Sequence, residues 1–218
     1  ALDWNIPRTV TVTGVNDDID DGNQAYTIIL DTATSSDPGY NGMNPNDVDM
    51  LVNIDDDTAG ITLQESDGSS DITEGGNVDT YTIVLNSEPT GNVAVRITPD
   101  AQSTLSTSSI VFTPTNWNVA QTITLSAVND SVAEGGHTTT ITHTVTSLDP
   151  GYDGFALGNV VALITDNDSA GFDVSGISGE THEDGTAATF TVVLTSEPTG
   201  TVTTTLHSTD SSEGVTNT

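Results

Sequence analysis

Clustered carboxylates are the one chemistry this sequence offers repeatedly. Asp17, Asp18, Asp20 and Asp21 crowd one stretch, and Asp55, Asp56 and Asp57 form an uninterrupted triplet. Asp130 with Glu134, then Asp166 with Asp168, stand at matching places further along. Glu74 precedes Gly75-Gly76, and Glu183-Asp184-Gly185 repeats that arrangement. Several carboxylates in one place cannot all ionise cheaply without a counter-charge. This chain has almost none: 32 acidic residues face only Arg8 and Arg96, Lys is absent, and the formal net charge is −30. A hard cation supplies what is missing. Calcium accepts six to eight oxygen ligands in flexible geometry, whereas magnesium demands a strict octahedron and zinc prefers His or Cys. The plain alternative is a set of solvated acidic loops. Recurrence at equivalent positions argues against it. The spacing is not that of an EF-hand, and there is no Gly-Gly-x-Gly-x-Asp nonapeptide array.

The clusters recur because the whole chain does. Trp4-Asn5-Ile6 returns as Trp117-Asn118-Val119, and Asp37-Pro38-Gly39-Tyr40 as Asp149-Pro150-Gly151-Tyr152. Asp55 to Gly60 returns as Asp166 to Gly171, and Tyr81 to Pro89 as Phe190 to Pro198. The offsets run from 109 to 113 residues, a period of about 110. On this reading 61–170 is a complete repeat, 1–60 matches its second half and 171–218 its first half. Half a sandwich leaves unpaired strands and an open apolar face. The expectation is therefore a piece of a longer chain, whose partial ends are completed by further copies of the same repeat.

The elements that must hold these loops read as strands. Thr80 to Leu85, Asn92 to Thr98, Ile110 to Thr113, Gln121 to Val128, Thr138 to Thr146 and Val160 to Ile164 alternate or run apolar, and Ile61-Thr62-Leu63 opens the repeat. Turn signals divide them, including Glu88-Pro89-Thr90-Gly91 and Asp149-Pro150-Gly151. No stretch sustains helical periodicity. The prediction is all-β: tandem immunoglobulin-like antiparallel β-sandwiches of about seven strands each. Trp117, after a Pro-containing turn, is read as a core or rim anchor. His143 alternates with Ile141 and Val145 and is read as a satisfied inward or edge residue. His137 and His182, beside acidic loops, are read as bystanders rather than ligands.

Thr73-Glu74-Gly75-Gly76, Val128-Asn129-Asp130 with Glu134, and Ile54-Asp55-Asp56-Asp57-Thr58-Ala59-Gly60 resemble Calx-beta domains. These are the calcium-binding modules of sodium–calcium exchangers, some integrins and many large bacterial surface proteins. The resemblance spans nearly the whole chain, and the terminal acidic triplet is its most specific part. It implies a seven-stranded immunoglobulin-like sandwich with Ca2+ at the end that holds the triplet. By matching position it implies Glu74, Asp130, Glu134, Asp166 and Asp168 as ligands in the complete repeat. Asp17, Asp21, Asp55, Asp56 and Asp57 are the counterparts in the first piece, and Glu183 in the last. Asn167 and Asn129 depart from the acidic pattern, so fewer or weaker ions are expected there.

Composition narrows the function. So acidic a surface repels nucleic acid and anionic lipid. No apolar run approaches the roughly 20 residues of a membrane helix. No Gly-x-Ser-x-Gly elbow, no Lys and no phosphate loop is present, so no enzyme is expected. Without Cys there is no disulfide, and an extracellular chain then needs another staple, which a cation provides. The expectation is a calcium-stiffened structural module of a bacterial extracellular fibre or surface adhesin. A calcium sensor acting on an attached domain, or a carbohydrate-binding accessory module, are the alternatives. Aromatic residues at 5% are thin for a lectin's stacking platforms.

Overall fold

The computed structural model describes residues 3–216. Its strands follow in chain order. They are β1 (Gln24–Ile28), β2 (Val48–Asn53), β3 (Ile61–Glu65), β4 (Ser70–Thr73), β5 (Asp79–Leu85), β6 (Val93–Pro99), β7 (Ser103–Leu105), β8 (Ser109–Phe112), β9 (Gln121–Ala127), β10 (His137–Ser147), β11 (Val160–Thr165), β12 (Phe172–Val174) and β13 (Val192–Leu194). The protein is all-β, and among the described residues no helix is long and apolar enough to cross a membrane.

Strands β3 to β11 build two sheets, one ordered β3-β5-β9-β7 and the other β4-β11-β10-β6-β8. This is the strand arrangement of an immunoglobulin-like sandwich. Period-2 alternation produces it. In β5 Tyr81, Ile83 and Leu85 turn inward, in β6 Val93, Val95 and Ile97, and in β11 Val160, Ala162 and Ile164. They meet Ile72, Phe112, Ile123, Leu125, Ile141 and Val145 in one buried core. Burying each such side chain contributes about 1.5–3 kcal/mol. Trp117 packs against this core from its rim, and its carbonyl accepts the Leu85 N–H at 3.1 Å.

The structure corrects the strand reading in two respects. Nine strands lie between Ile61 and Thr165, because β4 and β7 are short, rich in Ser and Thr and carry little apolar signal. And the sandwich is not wholly antiparallel: β4 runs parallel to β11, with Ser70 opposite Ala162 and Thr73 opposite Thr165. The chain crosses from one sheet to the other between β3 and β4, and that reverses the pairing.

The flanking pieces form lone antiparallel pairs, β1 with β2 and β12 with β13. Among the described residues no second sheet covers them. Trp4 is 81% exposed where its counterpart Trp117 is packed on the core. The β1–β2 register slips by one residue between Tyr26 and Ile28, and exposed Met50 takes φ 66° there. The corresponding β10–β11 pairing is continuous. A buried face is what pins register, and β2 has none.

Candidate metal centre

Strand pairing brings the acidic loops together. Parallel register sets the end of β4 beside the end of β11, and the Glu74 N–H donates to the Thr165 carbonyl at 3.1 Å. Glu74 therefore stands where Asp166, Asn167 and Asp168 begin. The start of β10 pairs with Ile164 through His137, which draws the loop from Asn129 to Gly136 to the same edge. Residues 92 positions apart in the chain thus share one end of the sandwich.

Backbone amides fix the loop geometry. Asp166 Oδ1 accepts from the Asp168 N–H at 2.7 Å and its Oδ2 from the Gly135 N–H at 2.6 Å. These bonds hold its carboxyl below the usual carboxylate range. Asp130 Oδ1 accepts from the Val132 N–H at 2.7 Å. Asn167 Nδ2 donates to both the Glu74 carbonyl and Asn129 Oδ1, each at 2.8 Å. The two asparagines that replace acidic residues are thus a clasp that ties all three loops together.

Inside the clasp lies an unresolved demand for positive charge. Glu74 is 2% exposed. Its Oε2 and Asp168 Oδ2 are buried and have no hydrogen-bond partner among the described residues. Carboxylate oxygens of Glu74, Asp130 and Asp168 lie within 4.8 Å of one another. Burial first, then the charges of Asp166 and Asp130, push the Glu74 carboxyl above its ordinary value. A second group at the same edge joins Glu74 to Glu134 and His137, whose ligand atoms also lie within 4.8 Å. Such carboxyl oxygens suit a hard cation.

The first piece repeats the loop geometry. Asp55 Oδ2 accepts from the Gly22 N–H at 2.6 Å and its Oδ1 from the Asp57 N–H at 2.9 Å, as Asp166 does from Gly135 and Asp168. Asp17, Asp21, Asp55, Asp56 and Asp57 line a single concavity. Burial, followed by the charges of Asp56 and Asp18, raises the Asp57 carboxyl. No glutamate lines this concavity, so it lacks a counterpart of Glu74. Glu183 stands exposed in a turn, and neither convergent group includes it. Sequence alone passed over the Asn129–Asn167 clasp and the inward part of His137. Both depend on partners 35 or more positions away, and only the position of His137 beside an acidic loop pointed to the second.

The same loops touch turns that follow them in the chain. The Glu88 N–H donates to the Asp18 carbonyl at 2.6 Å, and the Glu197 N–H donates to the Ser131 carbonyl at 2.6 Å. Each Ser-Glu-Pro turn thus meets an acidic loop that precedes it in the chain.

No family model matches the chain, and no curated protein matches it in sequence. Among solved structures it is similar to the apo form of the Calx CBD1 domain, with 14% identity over 50% of this chain and 98% of that one and a TM-score of 0.38. It is also similar to domains 4 and 5 of the S-layer protein SbsC, with 18% identity over 53% and 57% and a TM-score of 0.29. A chaperone–tip adhesin complex of CFA/I fimbriae biogenesis is 10% identical over 56% and 62%, with a TM-score of 0.34. These likenesses are distant, and the fold stands on its own strand order.

Proposed function

We propose that this chain is a calcium-stiffened structural repeat module of an extracellular fibre or surface adhesin. One observation carries the reading: a buried, unpartnered Glu74 carboxylate converges with Asp130 and Asp168 at the end of the sandwich that faces the next repeat. Glu74, Asp130 and Asp168 would hold the ion, and Asp166 would brace the loop. The recurring bonds from Asp18 to Glu88 and from Ser131 to Glu197 support a role in fixing the angle between repeats. An ion drawing the acidic loop inward steadies the carbonyl on which the neighbouring turn rests.

The natural partners are further copies of the same repeat. β1 and β2 correspond to β10 and β11, while β12 and β13 correspond to β3 and β5. The two flanking pieces thus carry complementary parts of one sandwich. Both expose apolar side chains, among them Met50 and Phe172.

Extracellular calcium modules bind at about 10⁻⁴ to 10⁻³ M. At roughly ten-fold to hundred-fold higher calcium, each site adds about 1.4–2.7 kcal/mol by mass action. Small-angle scattering and thermal unfolding, each with calcium and with chelator, test the proposal. The expected result is a longer, stiffer particle and a higher Tm in calcium. An unchanged length and Tm would sink it.

A further inference from the structure

At the same edge, beyond the carboxylates already considered, stands an imidazole with a defined orientation. His137 opens β10, and its Nδ1 bonds the Gly135 carbonyl at 2.8 Å. A carbonyl accepts only, so Nδ1 carries a proton, and in the neutral ring Nε2 presents a lone pair. That lone pair faces Glu134 Oε2 at 3.5 Å. The Gln102 amide reaches between them, with Nε2 at 3.1 Å from Glu134 Oε2 and 3.3 Å from His137 Nε2. An amide N–H donor occupies the point on which two ligand atoms converge. Glu74, buried and with Oε2 unpartnered, completes the set, and all three ligand atoms lie within 4.8 Å of one another.

We propose that Glu74, Glu134 and His137 form a second, chemically distinct metal site that takes a transition-metal dication of the zinc class. The donor set decides the class. Calcium takes hard oxygens, whereas zinc binds neutral imidazole nitrogen alongside carboxylate oxygen. The spacing agrees: two ligands about 2.1 Å from zinc at a tetrahedral angle lie ~3.4 Å apart, close to the 3.5 Å between His137 and Glu134. A carbonyl-bonded Nδ1–H is the outer contact that sets the tautomer of a metal-ligating histidine. The ion displaces the Gln102 amide and leaves the loop backbone as it is.

The chain contains its own control. In the first piece Gln24 occupies the place of His137, and its Nε2 donates to the Gly22 and Asp21 carbonyls at 3.2 and 2.8 Å. The same turn is therefore built without an imidazole. This site goes beyond the calcium reading: it shares Glu74 with the Asp130–Asp168 group and takes Glu134, which the resemblance implied as a calcium ligand, into a nitrogen-containing donor set.

Zinc titration of the full chain in saturating calcium, followed by calorimetry and by the imidazole 15N resonances, tests the assignment. One ion should bind and move the His137 resonances first, ahead of His143, His182 and His207. His137→Gln, which installs the residue of the sister loop, should weaken zinc by about 100-fold, and Glu134→Gln by at least about ten-fold. The calcium-induced rise in Tm should persist in His137→Gln and fall in Asp130→Asn. Zinc affinity unchanged in His137→Gln would overturn the proposal, as would first binding at His182 or His207. If wild-type protein binds zinc through His137 but does not respond to calcium, the calcium reading fails and this one stands.

Discussion

Tyr152 and Ser87 are joined three ways inside the sandwich. The Tyr152 hydroxyl donates to the Ser87 carbonyl at 2.7 Å and accepts from the Ser87 N–H at 3.1 Å, and the two hydroxyl oxygens lie 2.8 Å apart. Both residues are almost fully buried. Tyr40 sits in the same Asp-Pro-Gly-Tyr turn of the first piece, whose local bond from Gly39 to Asp37 matches that from Gly151 to Asp149. Yet Tyr40 is 62% exposed. The turn forms from local sequence alone, and only the opposing sheet makes its tyrosine structural.

Tyr152→Phe leaves the buried Ser87 groups unpaired and should cost about 1–3 kcal/mol. For a sandwich of this size each kcal/mol lowers Tm by about 4–8 °C. Tyr40→Phe should leave the transition unmoved. Thermal unfolding of both variants checks the contrast.

Glu74→Gln should change sign with calcium. The raised carboxyl means that the ionised form is disfavoured in the fold, so stability is lost as pH rises through that raised value. Near neutral pH the isosteric amide removes this charge and can donate to Asp130 and Asp168. In chelator the variant should be more stable than wild type by about 1 kcal/mol. In calcium it should be less stable, because a ligand is gone. Urea titrations in the two conditions read both effects.

Acid should act in two separate windows. Burial lowers the His143 pKa below 6.5. The side chain is held neutral between the Gly158 carbonyl and the Tyr81 hydroxyl. The unfolded chain then binds the proton more readily, so stability falls as pH drops from 6.5 towards the lower folded value. Asp100 and Asp149 are lowered below 3.8 despite burial, because Thr139, Thr140, Thr90 and other donors hold their ionised forms. Their contribution is present above 3.8 and is lost only below it. His143→Gln should flatten the upper window and leave the lower one, as Tm measured against pH will show.

Gly75→Ala should fail where Gly135→Ala is tolerated. Both glycines have positive φ, 59° and 73°. A Cβ on Gly75 would meet Asn129 Oδ1 at 2.7 Å and Asn167 Nδ2 at 3.2 Å, whereas one on Gly135 meets nothing. Backbone strain alone costs about 1–2 kcal/mol. Gly75→Ala should cost more than that and weaken the calcium response, because it forces the asparagine clasp apart. Calorimetry with calcium separates the two variants.

The sandwich was legible because its strongest strands carry their own alternation. Tyr81, Ile83 and Leu85 need no partner to declare an inward face. β4 was hidden because Ser70 and Thr73 declare nothing until β11 lies beside them. The acidic residues stood out by type and recurrence, but which of them converge depends on that same pairing. The clasp of Asn129 and Asn167 looked like a loss of ligands because a substitution reports charge and not hydrogen-bond geometry. Trp4 and Tyr40 part from Trp117 and Tyr152 in their burial because a closely similar local sequence there meets no opposing sheet among the described residues.

The parallel pairing of β4 with β11 also has a mechanical meaning. The chain passes through β3, in the opposite sheet, before it reaches β4, and it leaves the sandwich at the end of β11, so tension that reaches β4 and β11 drags these two strands past each other lengthwise. Four registered residue pairs, from Ser70–Ala162 to Thr73–Thr165, then bear load together rather than opening one at a time. The acidic loops lie at the downstream end of that clamp. An ion held there, as proposed above, would tie the downstream end of this clamp to the loops beside it.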